Sequence, residues 1–175
     1  MNGMRTRIGM GILLLTSLLQ FGHTTTMVSM NLRDLTDHAD LVAIGRISEL
    51  NTVLRDGQTW TVATVLVEQA IKGKPASVIY FQIPGGTRTV EGRTLVTVVD
   101  GTPVISSMQK AVLFLNGKAP EYYDLTGWEQ GYRHVQNQNG QEIVSLSSES
   151  PERKKLMPLR VFVNQIREYM KEGSR

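Results

Sequence analysis

The side chains that could carry out a reaction are few and scattered. The chain has no cysteine, and beyond its N-terminal stretch only two histidines, His38 and His134, remain. His38 lies between Asp37 and Ala39-Asp40 and reads as a helix-end histidine beside acids; the functional alternative is a metal ligand or base. His134 alternates with Tyr132 and Gln136 along a strand and reads as an outward or cross-strand partner. A zinc site wants clustered His or Cys ligands, so no metal site is expected. Asp34, Asp37 and Asp40 recur at helical spacing, not at the alternate positions of a calcium loop. No serine stands in a Gly-x-Ser-x-Gly elbow, and no nucleophile, base and orienting group can be assembled. Glu68, Glu91, Asp100, Glu129 and Glu142 could supply the two carboxylates of sugar hydrolysis, but their spacing does not pair them. No catalytic residue and no cofactor is assigned.

The polar group with most promise is Trp128, Tyr132, Arg133 and His134, with Tyr122 and Tyr123 nearby. Aromatic and Arg side chains together are typical of interface anchors and suit stacking on sugars or bases. The alternative is that Trp128 and one or two tyrosines plug the end of a barrel. The corner Pro84-Gly85-Gly86 could offer backbone N–H groups to an anion, helped by Arg88 and Arg93. It has neither a Gly-x-x-x-x-Gly-Lys pattern nor a following helix, and reads as a chain reversal.

The elements that must hold these residues follow from turn chemistry and periodicity. Asn31 can cap a short helix through Ala39. Leu41–Leu50 reads as a strand in which Gly45 marks a bulge or a close backbone approach. Asp56-Gly57 is a hairpin signal, and Thr59–Ala70 returns with apolar residues on both faces, as suits a barrel strand or a sandwich strand partly covered by a helix. Lys72-Gly73-Lys74-Pro75 breaks the run. Ser77–Ile83 then alternates, with Ile79, Phe81 and Ile83 on one side and Tyr80 and Gln82 on the other. Strands are further expected at Thr94–Val99, Ala111–Leu115, Tyr122–Thr126, Tyr132–Gln136 and Glu142–Leu146, with turns at Asp100-Gly101, Asn116-Gly117 and Asn139-Gly140. Ser147–Ser150 reads as a loop. Leu159, Phe162, Val163 and Ile166 recur at helical spacing after Pro158, giving an amphipathic C-terminal helix.

The N-terminus has the layout of a secretory signal peptide over residues 1–26: Arg5 and Arg7, the apolar run Ile8–Leu19, then a short polar end at Gln20–Thr26. The apolar run is shorter than the roughly 20 residues of a membrane span, so no span is expected after cleavage. The formal net charge of +3 falls by these two arginines to +1, which argues against nucleic acid as a partner. The local cluster Arg153-Lys154-Lys155 reads as a solvated loop. About 150 residues can hold a core without disulfides, and a cysteine-free exported domain suits a bacterial periplasm or exterior.

The order of signals resembles an uncharacterised family of secreted bacterial domains. It is carried by Ala39-Asp40, Ala43–Gly45, Lys72-Gly73, Pro84-Gly85-Gly86, Gly101-Thr102-Pro103, Val112–Leu115 and Gly127–Gly131 with Gln130. The chain departs where the family has an aromatic and a Gly-Glu pair; here stand Ile105, Met108 and Gln109. A remoter likeness, to netrin-like and metalloproteinase-inhibitor domains, implies an OB-type barrel. Those domains depend on disulfides that this chain cannot form, and on an N-terminal cysteine absent here.

The expectation is a mainly β fold over residues 31–172: an OB-like curved sheet or barrel, with a short N-terminal helix and an amphipathic C-terminal helix. Its expected role is an exported, non-enzymatic binding or assembly module for a protein or glycan of the envelope or exterior. A small envelope hydrolase and a protease-inhibitor-like domain are the alternatives.

Overall fold

The computed structural model describes residues 28–117, 122–146 and 156–173. The expected signal peptide (1–26), the loop at Ser147–Ser150 and the cluster Arg153-Lys154-Lys155 lie outside the described residues.

Asn31 starts helix α1 (Leu32–His38) by reciprocal capping: its side chain accepts the Asp34 N–H, and the Asp34 carboxylate accepts the Asn31 N–H. Two donors that a helix start leaves open are thereby satisfied. A long hairpin follows, β1 (Leu41–Arg55) and β2 (Gln58–Lys72). Asp56 and Gly57 at its tip both have positive φ, the geometry of a type I′ turn. β3 (Val78–Pro84) pairs antiparallel with β2. A second hairpin, β4 (Gly86–Val90) and β5 (Arg93–Thr97), makes a two-stranded sheet of its own. The chain continues through β6 (Lys110–Asn116), β7 (Tyr123–Leu125), a short 3-10 turn at Trp128–Gly131, β8 (Tyr132–Gln138) and β9 (Gln141–Ser145). It closes with β10 (Leu156–Pro158) and helix α2 (Leu159–Glu172). The described chain is mainly β, with a short helix near its N-terminus and a second helix at its C-terminal end.

Two details differ from the sequence reading. The strand expected at Thr94–Val99 ends at Thr97 and pairs with β4, which periodicity did not reveal. Every residue of β5 is exposed and no residue of β4 is buried, so no burial pattern marks this hairpin. Leu156–Pro158 adds an edge strand to β9.

β1 is paired along both edges, to β2 and to β6, and the pairs β2–β3, β3–β7 and β7–β6 complete a circuit back to it. Only β3–β7 in that circuit is parallel. On one face of these strands Ala43, Ile47, Val65, Phe81, Leu113 and Tyr123 belong to one buried cluster. On the opposite face of β1, β6, β8 and β9, Val42, Ile44, Val112, Phe114, Val135 and Val144 form a second cluster with Leu35, Phe162, Val163 and Ile166 of the helices. Successive side chains of a strand point to opposite faces, so a strand serving both clusters must be apolar throughout. Ala111–Leu115 is such a run, buried at every position.

Pro84 ends β3, and the Gly85 N–H donates to the Thr59 carbonyl at 2.8 Å. Gly85 and Gly86 have φ of +92 and +136°, and a Cβ there would lie 2.6 Å from the Thr97 carbonyl oxygen and 2.4 Å from Thr61 Oγ1. Glycine is required by both angle and space.

Candidate functional site

The residues singled out above do not share one surface. Tyr132 is buried in the first cluster, and its hydroxyl donates to Gln109 Oε1 at 2.9 Å. Arg133, the next residue of β8, is also buried, and strand alternation sends it to the helix-covered face with Val135. His134 is exposed opposite Ala111 of β6. Trp128 and Tyr122 are each more than two-fifths exposed. The expected polar face is therefore divided, because three consecutive strand residues cannot all point the same way.

Trp128 and Tyr122 instead join residues that periodicity alone did not select. The solvent-facing side of β2, β3 and β7 carries Trp60, Pro84, Gln82, Tyr80 and Asp124, with Tyr122 just before β7. The pairings Trp60↔Pro84, Thr64↔Tyr80 and Gln82↔Asp124 set them in adjacent rows. Arg55, at the end of β1, ties the rows together. Its guanidinium donates to Gln82 Oε1 at 2.9 Å and lies 5.1 Å from the Tyr122 ring centroid and 5.9 Å from that of Trp60. Gln82 Nε2 in turn donates to Asp124 Oδ1 at 3.0 Å. Tyr80 meets Tyr122 edge to face at 6.4 Å. Cation–π and edge-to-face contacts of this kind hold aromatic rings in fixed orientations while leaving part of each ring in water.

Beside this ladder lies a cleft of about 250 Å³ lined by Trp60, Trp128, Pro84, Pro103, Gln82 and Asp124, among others. It contains both tryptophans of the chain. Trp128 reaches it from an unusual backbone: its φ is +59°, a left-handed conformation that bulky residues rarely adopt. The surrounding turn is pinned to hold it there. The Glu129 N–H donates to the Gly101 carbonyl at 2.9 Å, and Gln130 accepts the Met30 N–H at 2.7 Å and donates to the Val28 carbonyl at 3.0 Å. Strain retained around an exposed aromatic ring is a mark of a functional position.

The other chemistries are placed elsewhere. Glu68 and Glu142 both pair with Lys110 at 2.7 Å, and Glu68 also meets Arg46 at 3.3 Å. The hydrogen bond from Lys110 holds the Glu68 carboxyl below its usual range, which suits an ion pair and not a general acid. His38 Nδ1 sits 2.8 Å from the Asp34 carbonyl of its own helix. Among the described residues no group of three or more His, Asp or Glu is placed to hold a metal ion, and no helix is long and apolar enough to cross a membrane.

Tyr80 and Gln82 fall on the outer side of their strand by alternation, but nothing local brings Arg55 or Trp60 to Tyr122. No protein-family model matches the chain, and no curated protein matches it.

Proposed function

We propose that this is an exported, non-enzymatic binding module whose ligand is a glycan held on the aromatic face of β2, β3 and β7. The observation that carries the reading is the cleft in which Trp60 and Trp128 flank Gln82 and Asp124. Aromatic rings take the apolar C–H face of a sugar, while a side-chain amide, a carboxylate and a guanidinium at the edge take its hydroxyls. The circuit of five strands, with its single parallel pair β3–β7, supports an OB-type barrel, a fold that presents oligosaccharides and oligonucleotides on this part of its surface. The motif order of the secreted bacterial domain family and the leader at 1–26 support export to the periplasm or beyond. A protein partner is the second reading, favoured by the Trp, Tyr and Arg content of the face. A hydrolase is disfavoured by the ion pairing of Glu68 and Glu142, and a protease inhibitor by the missing N-terminal cysteine.

Titration of the exported protein with soluble envelope oligosaccharides, read by tryptophan fluorescence, tests the proposal. A saturable change is expected, with affinity weakened about tenfold or more by Trp60→Ala or Trp128→Ala. Absence of any response, together with Trp60-dependent capture of an envelope protein, would move the reading to the protein partner. N-terminal sequencing of the same preparation should begin between Thr24 and Asn31; an intact Met1 would sink the export reading.

A further inference from the structure

Arg133 is a largely buried cation, with Glu129 as the charge that acts on it. It is 8% exposed, and none of the ion pairs among the described residues includes it. Burial lowers its hold on the proton, and the charge of Glu129 partly restores it. An arginine remains cationic under these conditions, so the protein keeps a positive charge where water is scarce.

Arg133 lines a cavity of about 240 Å³ between β8 and the two helices, on the helix-covered side and apart from the aromatic face. Met30, Leu146 and Phe162 give the cavity an apolar wall, and Asn31, Gln165 and Tyr169 give it a polar rim.

We propose that this cavity binds a small organic monocarboxylate, with the carboxylate forked onto the Arg133 guanidinium and the hydrocarbon body against Phe162, Met30 and Leu146. The guanidinium offers donors in a planar fork that matches a carboxylate in two parallel hydrogen bonds. One cation balances one negative charge, which favours a carboxylate over a phosphate dianion. The apolar wall rewards a hydrocarbon or aromatic body. At roughly 30 Å³ per water, the space equals about eight waters, the scale of an aromatic acid such as benzoate and not of a long-chain lipid.

The full-length protein, labelled with ¹⁵N, is titrated with sodium benzoate, with benzamide as the neutral match and inorganic phosphate as the anion without a body. The readout is the Arg133 Nε–H resonance, assigned by its loss in Arg133→Met. Benzoate is expected to shift it saturably, with benzamide and phosphate about tenfold weaker or more. Arg133→Met should abolish benzoate binding while leaving the unliganded thermal midpoint unchanged or higher. Arg133→Lys, which keeps the charge but loses the fork, should weaken it. Equal affinity for benzamide, stronger binding of phosphate, or no shift at about 10 mM benzoate would overturn the proposal. Should Arg133→Met fail to fold, Arg133→Lys supplies the assignment and the wild-type titration decides.

Discussion

At Tyr132 a phenol lies under the sheet and donates to Gln109, whose side-chain oxygen also accepts the Ser106 N–H at 3.0 Å. Burial pushes its ionisation up to about 12 from the ordinary 10.0. The folded state therefore keeps this proton after the unfolded chain has released it. Tyr132 stabilises fully below pH 10, and that contribution is lost as pH rises through 12. Tyr132→Phe should cost about 1 kcal/mol near neutrality, since Gln109 keeps a second donor. It should also flatten the loss of stability between pH 10 and 12. Urea denaturation of both proteins across that range reads the difference; parallel profiles would show that the phenol does not ionise late. Lys110 acts at both ends of the scale. Glu68, depressed from 4.5, loses its contribution as pH falls through its lower folded value. Lys110, raised from 10.5, loses its own as pH rises through its higher one.

The family-like motifs turn out to join elements. Lys72 Nζ donates to the Thr36 and Asp37 carbonyls at 2.7 and 3.1 Å, satisfying the end of α1. Asp40 Oδ2 accepts the Gly117 N–H at 2.9 Å, tying the start of β1 to the turn after β6. Gly45 lets β1 and β2 approach where the register shifts. A Cβ there would stand 2.4 Å from Val65 Cγ1 and 2.8 Å from the Leu66 carbonyl oxygen. Gly45→Ala should destabilise by about 1–3 kcal/mol through overpacking, measured by the urea midpoint at unchanged slope. A midpoint equal to wild type would mean that the hairpin yields at no cost. Motifs of this kind identify an architecture more readily than they identify a ligand.

For the molecule as a whole, β1 and β6 each contribute to both buried clusters. The helix-covered cluster and the cluster on the other face should therefore unfold together. Phe162, which meets Phe114 edge to face at 6.3 Å, is the test. Phe162→Ala should cost about 3–5 kcal/mol. It should shift the transition seen by tryptophan fluorescence as much as that seen by circular dichroism. Trp60 and Trp128 both line the cleft of the aromatic face, so separated transitions would indicate two independently folding layers. The two proposed ligand regions both lie on the face of the sheet opposite the first cluster, but over different elements, β2, β3 and β7 for one and β8 with the two helices for the other, and variants in one should leave the other intact.

Most strands, both helices and the turns at Asp56-Gly57 and Asn139-Gly140 were legible in the sequence, because turn geometry, capping and side-chain periodicity act over a few neighbouring residues. The Pro84-Gly85-Gly86 corner was visible for the same reason. The β4 partner of β5 was not, because an exposed hairpin leaves no burial pattern. Nor was the site. Tyr132, Arg133 and His134 are neighbours in sequence, and the pleat of β8 separates them. Arg55, Trp60 and Gln82 come from three strands and Tyr122 from the residue before a fourth, and they meet only through the register of β2 against β3 and the parallel pairing of β3 with β7. Local chemistry determined which residues form strands. Only the long-range pairing decided which aromatic rings face water together, and which arginine is buried beside the helices.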